Sequence, residues 1–217
     1  MILTVIGAMG SGKTLFSTLY AIEYAKNFPG NAIYANYTLK NLPNFHYTPY
    51  LFIPFSRLEN ALIIADDFYA LKCVDTLVSV VVNLSRKRFI DLVLTCQYYT
   101  MIPPAVRRLS DALVTCQYQK PGDLLLVRME KFPHVLQFKV EGATRIAGNY
   151  YDTREVVPFP TDREIAGEIK KNSENEEDIE RNVMMFTKNK AERKRLLEML
   201  LGKGERPKKK KTRNVVT

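Results

Sequence analysis

Through the first 157 residues, short apolar runs alternate with longer helix-favouring stretches. Ile2–Ile6 is rich in β-formers and stops at Gly7, and residues 13–27 then read as a helix ended by Phe28-Pro29-Gly30-Asn31. Ala32–Asn36 reads as a second strand, whereas residues 37–59, with prolines at 43, 49 and 54, read as loop. Ala61–Ala65 is wholly apolar and ends on Asp66-Asp67. A helix is expected over about 71–87. Two more apolar strands, Asp91–Gln97 and Asp111–Gln119, are joined by a short helix after Pro103-Pro104. Leu124–Glu130 and Val135–Val140 form a hairpin across Lys131-Phe-Pro-His134. Strands apolar on both faces and separated by helices predict an α/β fold. Its mainly parallel central sheet is flanked by helices on both sides and carries a C-terminal β-hairpin.

The pattern changes at Pro158-Phe-Pro160, since prolines two apart suit neither a helix interior nor a central strand. Residues 1–157 are therefore expected to be one domain, 158–202 a charged helical extension and 203–217 a basic tail. Net charge is +9, and the tail holds seven Lys/Arg against one Glu. It is too polar to fold alone, and a segment of this kind attracts polyanions without sequence preference.

Composition narrows the class further. Hydrophobic residues are 46% and charged residues 25%, the ordinary globular range. Cys73, Cys96 and Cys116 make no CxxC and sit beside no histidine cluster, which leaves neither a disulfide framework nor a zinc site and suits reduced, buried thiols. The start MILTVIGAMG does not read as a signal peptide. No apolar run has the roughly 18 residues of a membrane span; the richest, Val74–Leu84, is broken by Asp75, Thr76, Ser79 and Asn83. A soluble, cytoplasmic protein is expected.

The strongest motif is Gly7-Ala8-Met9-Gly10-Ser11-Gly12-Lys13-Thr14, a complete G-x-x-x-x-G-K-[ST] lying between a strand and a helix. Glycines let successive backbone N–H groups curl into a nest for phosphates, and the following helix presents its free amides and positive dipole end. Lys13 reaches the β- and γ-phosphates, and the Thr14 hydroxyl ligates Mg²⁺.

A second acid for the metal is supplied where the Ala61–Ala65 strand ends. Asp66 is the expected Mg²⁺-associated carboxylate, and Asp67 the group that orients or deprotonates the attacking water. Gln97, at the carboxyl end of a central strand, faces the crevice where such sheets bind ligands and is placed to sense the γ-phosphate or position water. Arg86 and Arg88 precede that strand; Arg107 and Arg108 follow Pro103-Pro104. All four are candidates for an extra cation on the γ-phosphate, a group often supplied in trans. His46 and His134 lie outside any motif.

With these residues assembled, the chain resembles the FtsK–HerA superfamily of P-loop ATPases, and within it the zonula-occludens-toxin-like and viral genome-packaging branch. The resemblance rests on Gly7–Thr14, on Leu62-Ile-Ile-Ala-Asp66-Asp67, and on Ser85-Arg-Lys-Arg88 leading into the Gln97 strand. It also includes Pro103–Asp111 and Tyr150-Tyr-Asp-Thr153. It implies a RecA-like P-loop NTPase fold that binds ATP and Mg²⁺ through Lys13, Thr14 and Asp66. Asp67 stands where the family usually has Glu, Gln97 is the polar sensor, and Arg86 or Arg88 reaches a neighbouring subunit's nucleotide. The resemblance further implies a ring-shaped homo-oligomer that moves double-stranded DNA without sequence preference, with capsid or virion proteins as further partners. The transmembrane segment of filamentous-phage members is absent, which points to a soluble motor in the host cytoplasm or associated with the virion. Two other readings stay open: a small-molecule or nucleotide kinase, and a nucleotide-dependent assembly factor without motor action. GTP specificity is disfavoured, because no N/T-K-x-D motif follows a late strand.

Overall fold

The protein is described by a computed structural model covering residues 1–48, 58–67, 85–131, 133–152, 161–171, 173–187 and 189–202. Cys73, most of the helix expected over 71–87, the Pro158–Pro160 boundary and the 203–217 tail lie outside the described residues.

Eight strands form one sheet: β1 (Ile2–Ile6), β2 (Ala32–Ala35), β3 (Phe45–Tyr47), β4 (Ala61–Ala65), β5 (Ile90–Cys96), β6 (Ala112–Gln119), β7 (Leu124–Lys131) and β8 (His134–Glu141). Their spatial order is β3-β2-β4-β5-β1-β6-β7-β8. All pairings from β3 through β6 are parallel, and β6-β7 and β7-β8 are antiparallel. The architecture is mixed α/β with a mostly parallel sheet. The loop expected over 37–59 contains β3, which pairs through Ile33↔Phe45 and Ala35↔Tyr47 at the outer edge. Only three residues long and half-buried or exposed, it leaves no apolar run to betray it.

Helix α1 (Lys13–Asn27) lies on one face, over a cluster containing Leu3, Val5, Ile64, Val93 and Val114, and ends where Phe28 meets Pro29. The short helices α2 (Pro104–Leu109) and α3 (Ala143–Ala147) follow β5 and β8. The opposite face is covered by α4 (Asp162–Lys171), α5 (Glu176–Phe186) and α6 (Lys190–Leu201). Their boundaries are legible locally. Thr161 and Glu164 form a reciprocal capping box, the Asn175 side chain caps Asp178 N–H, and Asn189 caps Ala191 and Glu192. Their apolar faces are not a separate core. Ile165, Ile169, Val183, Phe186 and Leu196 join Ile2, Ile63, Leu92 and Leu94 in one cluster. Each fully buried Leu, Ile or Phe contributes about 1.5–3 kcal/mol, so residues 161–202 complete the core beneath β4, β5 and β1.

Helical cover on both faces, as expected, holds over these central strands and fails at β8, which is exposed at seven of its eight positions. Among the described residues, no helix is long and apolar enough to cross a membrane.

Candidate functional site

Register brings the candidate residues to one end of the sheet. Ile6 pairs with Cys96 and with Thr115, and Ala65 pairs with Leu94, so Gly7, Asp66 and Gln97 all leave the sheet at its carboxyl end. The strand carrying Gln97, β5, lies between β1 and β4, and Gly7 N–H donates to Cys96 O at 3.3 Å.

Gly7–Thr14 forms a compact loop. Ser11 N–H donates to Ala8 O, and Phe16 N–H closes the first helical turn on Gly12 O at 2.8 Å. Gly12 has φ +93°, and a Cβ there would sit 2.7 Å from Leu125 Cδ1 and 3.2 Å from Tyr118 Cβ. Glycine is therefore demanded both by the left-handed backbone and by close packing against the β6–β7 wing. A Cβ on Gly7 would collide with the Ser11 hydroxyl. Lys13 is only 7% exposed; its Nζ donates to Gly7 O at 2.9 Å and Ala8 O at 3.1 Å. These two bonds hold the ammonium inside the loop.

Asp66 is the centre of the polar network. Thr14 Oγ1 donates to Asp66 Oδ2 at 2.8 Å, joining the two halves of the site across 52 residues of sequence. Thr95 Oγ1 donates to Asp66 Oδ1 at 2.6 Å and accepts from Asp67 N–H at 2.8 Å. Asp66 N–H donates to Asn36 Oδ1 at 2.8 Å, and Asn36 Nδ2 returns a bond to Asp66 O at 2.7 Å. Burial pushes the Asp66 carboxyl above the ordinary carboxylate range, opposed by the Thr95 and Thr14 hydrogen bonds and by the Lys13 charge. A divalent cation placed here would relieve that burial cost. Asp67 adopts φ +45°, and its Oδ1 is buried without a hydrogen-bond partner among the described residues. Such an acceptor suits a water molecule or a metal-bound ligand.

The residues present therefore fit a phosphate chain with one divalent cation: a glycine cradle, a buried ammonium, a hydroxyl–carboxylate pair and an unsatisfied second acid. No group of three His, Cys, Asp or Glu able to hold a metal alone occurs among the described residues. Phosphate oxygens and water would complete the coordination.

The arginines divide. The turn Arg86–Arg88 precedes β5, at the end of the sheet opposite Gly7–Thr14. A seven-residue strand spans about 23 Å, so Arg88 is out of reach of its own P-loop. The Arg86 side chain is not among those described. Arg107 lies over the Tyr99 ring, 5.4 Å from its centroid. His46 stacks on Tyr34 at the β3 edge, and His134 opens exposed β8. Cys96 and Cys116 are buried free thiols; desolvation lifts them to about 11 and about 12, against the lowering effect of Lys13, and keeps them protonated.

Sequence reasoning missed Asn36, Thr95 and the contacts of Gly12 with Tyr118 and Leu125. Asn36 and Thr95 match no spacing motif. Their only signal is a polar residue at the end, or inside, of an otherwise apolar central strand.

No family model and no curated protein matches this chain. Solved structures do resemble it. The N-terminal domain of zonular occludens toxin from Neisseria meningitidis has 14% identity and a TM-score of 0.46, over 72% of this chain and 94% of that one. The genome-packaging NTPase of Sulfolobus turreted icosahedral virus 2, in complex with ATP-γS, has 11% identity and a TM-score of 0.46, over 63% and 95%. The DNA-packaging ATPase of Sulfolobus turreted icosahedral virus has 14% identity and a TM-score of 0.46, over 63% and 95%. At these levels the likeness assigns no activity to this chain.

Proposed function

We propose that this protein is a Mg²⁺-dependent ATPase of the FtsK–HerA type whose hydrolysis drives movement of double-stranded DNA, as in packaging a viral genome. The observation that carries the nucleotide reading is the 2.8 Å bond from Thr14 to Asp66, which unites the phosphate loop with the acid of a second strand. Backbone amides of Ala8–Thr14 and the Lys13 ammonium bind the β- and γ-phosphates. Thr14 and Asp66 would hold Mg²⁺, which supplies neutralisation of the charge developing on the phosphates. Asp67 takes the proton of the attacking water, and Gln97 orients that water or senses the γ-phosphate. Arg86 or Arg88 acts on a neighbouring subunit's nucleotide, a role compatible with their position at the far end of the sheet. The motor is a ring-shaped homo-oligomer in the host cytoplasm or on the virion, working with capsid or virion proteins.

The DNA half of the proposal rests on the sequence resemblance and on the tail of net +6 at residues 203–217. Phosphate release measured with and without double-stranded DNA, alongside particle size, tests the whole. Stimulation by DNA in a multimeric particle is expected. Transfer of phosphate to a small acceptor, with no effect of DNA, would make the protein a kinase instead.

A further inference from the structure

We infer that Asn36 and Thr95 form a two-sided brace that positions Asp66 and Asp67, Asn36 acting on the main chain and Thr95 on the Asp66 carboxylate and the Asp67 amide. The inference rests on the nucleotide reading above and assigns two residues that no motif contains.

Asn36 is the first residue beyond β2 and is 1% exposed. The last backbone pair between β2 and β4 is Ala35↔Ile64. One step further the carboxamide of Asn36 takes both the N–H and the C=O of Asp66, at 2.8 and 2.7 Å. A side chain thus supplies the next rung of the ladder. It satisfies two part-buried main-chain groups that would otherwise lose their hydrogen-bond partner. Asp66 is thereby held as an extension of β4 until the chain turns away.

Thr95 works from the other neighbour. It is fully buried on β5, and the Ala65↔Leu94 pair sets it level with Asp66. Its hydroxyl donates to Asp66 Oδ1 and accepts from Asp67 N–H. That single group therefore couples the direction of the first carboxylate to the peptide that enters the second acid. Asp67 adopts φ +45°, the left-handed region that L-residues enter at a cost, and the Thr95 hydroxyl holds its amide there. With Thr14 on the remaining oxygen, all Asp66 rotations are opposed. A β-branched residue confines χ1, so Thr95 itself enters this geometry with little freedom to lose. Both residues are positioning residues: neither needs to touch a nucleotide to set where the acids point.

The full chain tests this with Thr95→Val, which keeps shape and removes the hydroxyl, Thr95→Ser, which restores it, and Asn36→Asp, which keeps the acceptor and loses the donor. Mn²⁺ binding in the presence of ADP, followed by electron paramagnetic resonance, is measured beside kcat, KM for ATP and melting temperature. Groups that orient metal ligands typically change metal affinity or activity by about 10–100-fold. Thr95→Val and Asn36→Asp are expected to weaken Mn²⁺ and lower kcat by that factor. KM should stay within about threefold, because the phosphate loop is untouched. Thr95→Ser should return Mn²⁺ affinity to within about threefold of wild type. Wild-type Mn²⁺ affinity in Thr95→Val or in Asn36→Asp overturns the brace, as does a Thr95→Ser variant as impaired as Thr95→Val. Should Thr95→Val not fold, the other two variants decide by the same measure. A wild-type protein that binds Mn²⁺ and ADP without hydrolysing ATP would sink the ATPase reading while the Mn²⁺ comparison still judges the brace. No Mn²⁺–ADP binding by wild type overturns both.

Discussion

Truncating Phe186 probes whether the C-terminal helices are part of the core of the central sheet or an appendage to it. Phe186 ends α5, is 1% exposed, and belongs to the cluster that includes Ile2, Ile63 and Leu92 of the central strands. Removing a buried phenyl ring loses its transfer free energy and leaves a cavity, together about 3–5 kcal/mol. For a chain of 217 residues each kcal/mol moves the melting temperature by about 2–4 °C, so Phe186→Ala should melt roughly 6–20 °C below wild type. Met184, two residues earlier and 53% exposed, provides the control: Met184→Ala should change stability by no more than about 0.5 kcal/mol. Melting is followed by far-ultraviolet circular dichroism with and without an ATP analogue, since a ligand at the carboxyl ends of β1 and β4 reports whether that part of the sheet melts in the same transition. One transition, shifted as a whole in Phe186→Ala and raised by the nucleotide, is expected. Two transitions, of which the nucleotide-sensitive one keeps its wild-type midpoint, would refute the shared core.

Lys13→Ala should weaken ATP binding and abolish hydrolysis, because it removes the charge that meets the β- and γ-phosphates; calorimetry and phosphate release check it. Asp66→Asn should lose Mn²⁺ binding, whereas Asp67→Asn should bind Mn²⁺–ATP normally and turn over at least 100-fold slower, since an amide cannot accept the water's proton. Swapped phenotypes would reverse the two roles. Mixing Lys13→Ala subunits with Arg86→Ala or Arg88→Ala subunits should restore part of the hydrolysis, because the first subunit lends its arginines to the intact P-loop of the second. No recovery at any ratio, for either arginine, would favour Arg107 or Arg108, or no arginine contact in trans at all. Deleting residues 203–217 should leave basal ATPase activity unchanged and flatten the salt dependence of DNA binding, each phosphate contact contributing about −0.9 to the slope. Parallel lines for the two proteins would mean that the tail does not touch DNA.

The Gly7–Thr14 turn between β1 and α1 was legible from spacing alone, because it is a local device: eight consecutive residues contain its glycines, its lysine and its helix start. The same holds for the place of Asp66, set apart by five apolar residues before it. What no local pattern contains is which strands become neighbours. Placing β5 between β1 and β4 brings Thr95 within 2.6 Å of Asp66, and pairing β2 with β4 brings Asn36 to the same peptide. Both residues look like ordinary polar strand positions until the register is known. In the extension the core face is hidden among charges: residues 160–202 hold ten acidic and nine basic residues, yet their buried stripe completes the sheet's second face. Hydrophobic spacing shows that a helix has an apolar side; only the assembled sheet decides what that side covers. The wing ends differently. From Leu136 to Glu141, β8 alternates apolar and polar residues as a half-buried strand should, yet it lies exposed at the sheet edge.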